Sequence, residues 1–418
     1  MYKDFIEALN KKYNCTGEKD LEGLDLQHYS FASSSNLRAK DAIGVFEAYG
    51  LELHGLRILD VGCAYGGFAI ETARRGATAY GVEILEELYD FACANNRDED
   101  YGDGSCQFVL GDVTSRSFLN TVPENYFDLI IVNDVFEHVY DTVQLLENLS
   151  KVASDKCILF FVIPNGNDLD AVAREGHTGL CGLSIVRPLS WHKLTGEKSK
   201  NIYYRQFEYY QALFEHYGFA HLVPINYPAY YGDEFVDTMN QKFQETERVI
   251  AEKMGEFPER YAGELERSMK LFTVNYQYDI AHMKPADLSW KYGTYFWAGF
   301  AMKKSLDFHL PQRTCESRFA SDVCEEATFE LKRTGDEIEI VVNSKFSEGE
   351  YEYAYHLIQL RRGKEVCNRT KYQSETQYKW KLPGQGMYGV VIYIKHKDHE
   401  HKDYRILTQP LYYPGRNK

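Results

Sequence analysis

The sequence predicts an α/β fold, a doubly wound sheet of seven strands, joined to a C-terminal antiparallel β-sandwich. Three observations carry this. The stretch Arg57-Ile-Leu-Asp-Val-Gly-Cys-Ala-Tyr-Gly-Gly-Phe68 reads as a buried strand, a glycine turn and the start of a helix. Apolar runs then alternate with helical patterns as far as Met302. From Asp307 the helical period gives way to short alternating runs parted by glycine and proline turns.

Residues 1–36 form a mixed lead-in, expected as a short helix and then a polar loop. A helix is predicted from Asn36 to Tyr49, with Leu37, Ala42, Ile43 and Phe46 as its apolar residues. Ile58, Leu59 and Val61 are the apolar run of a buried parallel strand. Gly62, Gly66 and Gly67 then let the backbone turn tightly and approach a ligand without a Cβ in the way. Phe68, Ala69, Thr72 and Ala73 share one helical face, and that helix stops at Gly76. Its N-terminus therefore points at whatever occupies the turn.

The second strand, Ala77 to Ile84, places an acid, Glu83, near its end. An acid there accepts hydrogen bonds from ribose hydroxyls, which points to a nucleoside cofactor without choosing one. Gln107 to Val113 reads as the third strand and ends in Gly-Asp112. Phe127 to Asp134 is the fourth, with Val135-Phe-Glu-His-Val139 turning into a helix. Cys157 to Pro164 is the fifth, closed by its proline. A helix from Glu208 to Tyr217 precedes a sixth strand, His221 to Ile225, and Thr294 to Met302 completes the sheet. Residues 232–285 read as a helical insertion near the carboxyl edge, an acceptor lid. Phe243, Ile250 and Met254 mark one face, Tyr261, Leu265 and Phe272 another, with Pro258 between. The doubly wound domain thus spans 37–303 and the sandwich 307–418.

Composition narrows the function. A net charge of −15 argues against a nucleic-acid-binding chain, which would show a basic face. The 33 tyrosines suit polar, ring-shaped ligands such as sugars, and also suit strands. The first residues lack the apolar core of a signal peptide, and the run Cys157 to Ile163 is too short to span a bilayer. Nine cysteines, an odd number without C-x-x-C spacing, suggest a reducing, cytoplasmic setting.

The turn Asp60-Val-Gly62-Cys63-Ala64-Tyr-Gly66 is similar to motif I of the class I, Rossmann-like S-adenosylmethionine (SAM) methyltransferases, written (D/E)-x-G-x-G-x-G. Ala64 stands where the middle glycine belongs. With the acids at Glu83 and Asp112, three motifs follow in the family's order. The resemblance implies SAM as cofactor, lined by Asp60, Gly62, Cys63, Ala64, Gly66, Glu83, Ile84, Asp112, Val113 and Asn133. In that family the acid at Asp112 accepts from the adenine amino group, and the next backbone N–H meets the ring.

Methyl transfer needs in-line placement and, for a protonated nucleophile, a base. On a helix start Asp134, Glu137 and His138 would share one face. In many small-molecule methyltransferases a similar run lines the pocket without metal, and the histidine is structural or a base. The run also resembles the E-x-x-E-H of the small-RNA 2′-O-methyltransferases and a quinone-pathway O-methyltransferase, which holds a divalent cation. Two carboxylates and an imidazole suit magnesium or manganese, with His177 or His192 as a fourth ligand. His177, in the glycine-rich loop 174–183, is also a candidate catalytic base. Trp191-His192 and Tyr203-Tyr-Arg205-Gln-Phe207 offer groups to frame a sugar.

The pattern Tyr353-x-Tyr355-x-x-x-x-Leu360, then Arg-Arg-Gly-Lys, then aromatics before a Gly-x-Tyr-x-Val strand, resembles accessory domains of bacterial glycan-assembly enzymes. The expected function is therefore SAM-dependent O-methylation of a sugar hydroxyl in a bacterial surface glycan or its sugar-nucleotide precursor. Methylation of RNA ribose or of a small metabolite is the alternative, and a SAM-binding scaffold the non-enzymatic one. The sandwich is expected to dock a glycan-assembly enzyme, bind glycan or hold a homo-oligomer.

Overall fold

The apolar run beginning at Ile58 becomes strand β1 (Arg57–Val61), buried along all but its first residue. A computed structural model describes residues 3–97, 99–186, 202–225, 234–303, 327–334, 336–344, 349–360, 364–383, 386–398, 404–407 and 411–413. The chain divides into two compact units. The first comprises 1–164, 201–226 and 296–309, and the second 165–200, 227–295 and 310–418.

Helices α1 (Lys3–Tyr13), α2 (Gly23–Ser33) and α3 (Ser35–Ala48) open the first unit. After β1 come α4 (Gly67–Ala73), β2 (Thr78–Glu83), α5 (Glu86–Asn96), β3 (Ser105–Leu110), β4 (Phe127–Asn133), α6 (Thr142–Val152) and β5 (Ala153–Pro164). Helix α7 (Phe207–His216), β6 (His221–Pro224) and β7 (Phe296–Met302) complete it. The sheet order is β3-β2-β1-β4-β5-β7-β6. β1 to β5 are parallel, and β7 runs antiparallel to both β5 and β6. The chain winds outward from β1 to β3, then returns to start the other half at β4. The carboxyl ends of β1 and β4 therefore flank a topological switch point, where open α/β sheets bind their ligands.

Aromatic packing holds α3 on this sheet. The Phe46 ring lies 4.6 Å from Phe160 and 5.7 Å from Phe300, all three buried. Burying a phenylalanine contributes about 2–3 kcal/mol, so this trio fixes the helix whose first turn reaches the glycine loop.

Two expectations need correction. The polar loop expected before Asn36 is largely α2, anchored by buried Tyr29 and Ala32. The stretch after β4 is not a helix start. Asp134 has a left-handed φ of 54°, and only a single 3₁₀ turn, Phe136–His138, follows before α6. The shared helical face argued for Asp134, Glu137 and His138 does not exist. The backbone reversal at Asp134 orients them instead.

In the second unit, a short helix (Leu169–Ala173) precedes α8 (Glu234–Lys253), α9 (Glu259–His282) and α10 (Pro285–Tyr292). This matches the helical insertion, broken before Pro258. Phe243 stacks on Tyr276 with centroids 4.0 Å apart, and Phe243, Ile250, Tyr261, Leu265 and Phe272 are all buried as their spacing predicts. Antiparallel strands β8 (Ala327–Thr334), β9 (Glu337–Ser344) and β12 (Gln377–Lys381) make a three-stranded sheet. Strands β10 (Tyr351–Leu360), β11 (Lys364–Arg369), β13 (Gly386–His396), β14 (Tyr404–Leu407) and β15 (Leu411–Tyr413) make the other. Inward residues of both, among them Ile338, Ile340, Trp380, Tyr355, Val390 and Ile392, share one core, as in a sandwich. Among the described residues no helix is long and apolar enough to cross a membrane.

Candidate active site

The glycine turn is built by crowding. Gly66 has a φ of 80°, and a Cβ there would lie 2.5 Å from the Phe108 ring. At Gly67 a Cβ would meet the Ser35 carbonyl oxygen at 2.7 Å, so the start of α3 presses on the start of α4. Ala64 adopts a φ of 46°, the left-handed conformation that explains why glycine is the usual residue there. The loop closes through Cys63 N–H to the Val82 carbonyl (3.0 Å) and Gly66 N–H to the Cys63 carbonyl (2.7 Å).

Asp60, buried at the base of the turn, accepts from the Ala69 N–H at 3.3 Å. Burial pushes its pKa up to about 8; the Ala69 hydrogen bond opposes the rise and the Glu83 charge adds to it. Glu83 closes on the turn from β2. It accepts from the backbone N–H groups of Ala64 (2.9 Å), Ile84 (2.9 Å) and Leu85 (3.0 Å). A carboxylate offers about four acceptor sites, so Glu83 is both brace and remaining acceptor. One strand over, Asp112 accepts from the Thr114 N–H and Oγ1 at 2.8 and 2.7 Å, and Asn148 donates to the Val113 carbonyl at 2.9 Å. Gly111 N–H donates to the Glu83 carbonyl, which sets the two acids on adjacent strand ends.

The N-terminal helices add residues that sequence reasoning missed. Asn36 and Asn95 exchange side-chain hydrogen bonds at 3.1 and 2.9 Å, and Asn95 also donates to the Tyr65 carbonyl. This buried pair ties α3, α5 and the glycine loop together. Arg38 donates to the Phe31 carbonyl at 2.9 Å and lies over the Phe31 ring. Its side chain reaches solvent, yet burial of the guanidinium lowers its pKa, against the opposing pull of Asp134 and Tyr65. It pairs with no carboxylate among the described residues. No sequence motif distinguishes it from a surface arginine.

Across the switch point, Asn133 donates to Asp134 Oδ2 at 3.0 Å and Asp134 N–H to the Val162 carbonyl at 3.1 Å. Glu137 is 1% exposed, and among the described residues neither carboxylate oxygen has a hydrogen-bond partner. Among the described residues His138 lies beside it, with Nε2 3.6 Å from Glu137 Oε1 on a ring that is itself part-exposed. Burial first, and the Asp134 charge second, push the Glu137 pKa well above the usual carboxylate range. An unpaired buried carboxyl costs several kcal/mol unless something completes it. The segment that follows is clamped. Tyr203 N–H donates to the Glu137 carbonyl at 2.6 Å, and the Arg205 fork reaches the Val139 and Tyr140 carbonyls at 3.2 and 2.6 Å.

Asp60, Gly62, Cys63, Ala64, Gly66, Glu83 and Ile84 thus form one connected group, and Asp112 and Val113 lie on the neighbouring strand end. Asn133, Asp134, Glu137 and His138 form a second group at the end of β4. His177 belongs to the second unit. There the fully buried Glu175 accepts from the His177 N–H (2.8 Å), Thr178 N–H (2.6 Å) and Thr178 Oγ1 (2.8 Å), with His177 Nδ1 at 2.7 Å. His192 and Trp191 lie outside the described residues.

A strand–turn–helix with acids on the next two strand ends defines a nucleoside-binding α/β domain. Residues 27–223 match the family model described as a methyltransferase domain, and this part of the chain is a class I SAM-dependent methyltransferase domain. The chain is 32% identical over 84 residues to the O-antigen chain terminator bifunctional methyltransferase/kinase WbdD of Escherichia coli, covering 20% of this chain and 11% of that one. It is 26% identical over 109 residues to the ubiquinone biosynthesis O-methyltransferase of Actinobacillus pleuropneumoniae, covering 26% and 46%. The magnesium protoporphyrin IX methyltransferase of Synechocystis, solved with bound S-adenosylhomocysteine, is 16% identical with a TM-score of 0.35, over 54% of this chain and 88% of that one. The chain spans less than half the length of these two curated relatives. The glycine turn, which leaves no Cβ above the backbone at Gly66 and Gly67, and the acids at Glu83 and Asp112 fit SAM.

Proposed function

We propose that this chain is a SAM-dependent O-methyltransferase acting on a sugar hydroxyl of a bacterial surface glycan or its precursor, with 37–303 as catalytic domain and 307–418 as accessory domain. The carrying observation is Glu137, a buried carboxyl with two unpartnered oxygens beside His138, at the switch point that the glycine turn also borders. Bound SAM supplies an electrophilic methyl on a sulfonium. Glu83 would accept from the ribose through its remaining site, Asp112 would accept from the adenine amino group, and Arg38 would pair with the methionine carboxylate. His138 would take the proton of the acceptor hydroxyl as its oxygen receives the methyl group that SAM supplies. The imidazolium formed would in turn favour the ionised form of Glu137, whose Oε1 lies 3.6 Å from its Nε2. The sugar acceptor is supported by the similarity to WbdD, a protein of O-antigen chains, and by the loose likeness of the sandwich to accessory domains of glycan-assembly enzymes.

Asp134, Glu137 and His138 also offer a donor set for magnesium or manganese, oxygen-rich with one imidazole. Such a cation would complete the two unpartnered Glu137 oxygens and acidify an acceptor hydroxyl. A small-metabolite acceptor is the second reading, favoured by the similarity to the ubiquinone-pathway O-methyltransferase. The test is transfer from methyl-labelled SAM into a bacterial extract resolved into glycan, RNA, protein and small-molecule pools, with and without EDTA. Label in the glycan pool is the expected result, and label confined to another pool overturns the sugar acceptor. Loss of transfer in EDTA, restored by added magnesium or manganese, is expected for the cation. Transfer indifferent to EDTA retires it.

A further inference from the structure

Tyr140, two residues past His138, keeps 61% of its surface in solvent. That is unusual for a tyrosine held so firmly. Its carbonyl is gripped by Arg205 at 2.6 Å, and its ring packs on Tyr203 with centroids 5.3 Å apart at 64°. Tyr203 is in turn fixed, buried with its N–H on the Glu137 carbonyl and the Arg205 guanidinium 5.5 Å from its ring. Arg205 also lies 5.4 Å from the ring of Tyr209, whose hydroxyl meets Thr142 Oγ1 at 2.7 Å. An exposed ring normally loses entropy when ordered. Here the backbone and neighbouring ring have already paid that cost, the pre-organisation expected of a binding platform.

We infer that Tyr140 is the acceptor platform, receiving the C–H face of a pyranose ring whose hydroxyl edge is presented to the Glu137–His138 pair. The inference rests on the proposed sugar acceptor. The chemistry is two-sided in the way a sugar is. The unpartnered carboxyl and the part-exposed imidazole want hydroxyl groups, whereas the tyrosine face wants apolar C–H surface. Tyr203 and Arg205 are positioning residues: they hold the 137–140 segment and do not themselves supply the platform.

The test uses the full chain with Tyr140→Phe and Tyr140→Ala, the glycan fraction of a bacterial extract as acceptor, and catechol as a flat aromatic counter-probe. Tyr140→Ala is expected to raise the apparent KM for the glycan about tenfold. Its kcat and SAM affinity should stay near wild type, and Tyr140→Phe should behave as wild type. An unchanged KM in Tyr140→Ala overturns the platform, as does a Tyr140→Phe variant as impaired as Tyr140→Ala. So does a fall in SAM affinity as large as the change in KM, which would make Tyr140 a structural prop. If wild type methylates catechol and leaves the glycan fraction unlabelled, the sugar reading itself falls, and the pyranose assignment with it.

Discussion

Glu137 and Asp60 are both buried carboxyls, and their surroundings give them different work. The Glu137 carboxyl lacks hydrogen-bond partners among the described residues and sits beside a histidine, so its burial is useful only if a ligand, cation or imidazolium completes it. His138→Ala is expected to reduce turnover by about 10²–10⁴-fold, the range for losing a general base. SAM affinity should remain within about twofold, since no cofactor contact is assigned to that ring. A His138→Ala enzyme with full kcat would remove the imidazole from the reaction. Asp60 has one backbone donor, and burial raises its pKa to about 8. The folded state therefore keeps a proton that the unfolded chain loses above its ordinary value near 4. The unfolded state binds fewer protons across that window, so stability falls as pH rises from about 4 to 8. Asp60→Asn should flatten this dependence, the difference from wild type changing by about 1 kcal/mol per pH unit in thermal or urea melts. Parallel pH curves would contradict the buried, protonated Asp60. Asp60, Glu83 and Asp112 could be picked out in the sequence because Asp60 stands two residues before the glycine turn and the other two acids follow the next two apolar runs, in the order of the family's motifs. Arg38 was not legible, because only the fold brings it into the field of Asp134 and Tyr65.

At the level of elements, the glycine turn is where geometry is least forgiving. Gly66→Ala adds a left-handed penalty of about 1 kcal/mol and a Cβ 2.5 Å from Phe108. A loss of about 2 kcal/mol or more in stability, with weaker SAM binding, is expected from chemical denaturation and titration. Ala64→Gly should be close to neutral, since relief at φ 46° offsets the added freedom of the unfolded chain. A strongly destabilised Ala64→Gly would mean that the methyl group packs in a way this account omits. The central strands β1, β4 and β5 could be read because buried parallel strands are continuous apolar runs ended by glycine, proline or a polar residue. Helix α2 could not, since Gln27, His28, Tyr29 and Ser30 lack a clear helical stripe. Asp134 misled for a different reason: a single left-handed residue breaks the i, i+3, i+4 rule without any glycine to announce it. The Tyr203–Arg205 clamp joins residues more than sixty apart in sequence, a distance no local pattern reports. Strands β11, β14 and β15 escaped because runs such as Lys364-Glu-Val-Cys-Asn-Arg369 are short and polar.

For the whole molecule, all the residues proposed to hold SAM fall in the first unit, and the sandwich core lies in the second. Hydrogen exchange should therefore slow on adding SAM at the glycine turn and at the ends of β2 and β3. The β9 and β13 core should exchange as before. Equal protection throughout would contradict a cofactor site confined to the sheet edge. The most direct measurement is calorimetric titration of SAM into the intact chain and into Glu83→Ala. One saturable site is expected, weakened about tenfold or more by Glu83→Ala, as for lost hydrogen bonds to a charged group. No saturable binding, or equal affinity in the two proteins, would contradict the account at its centre.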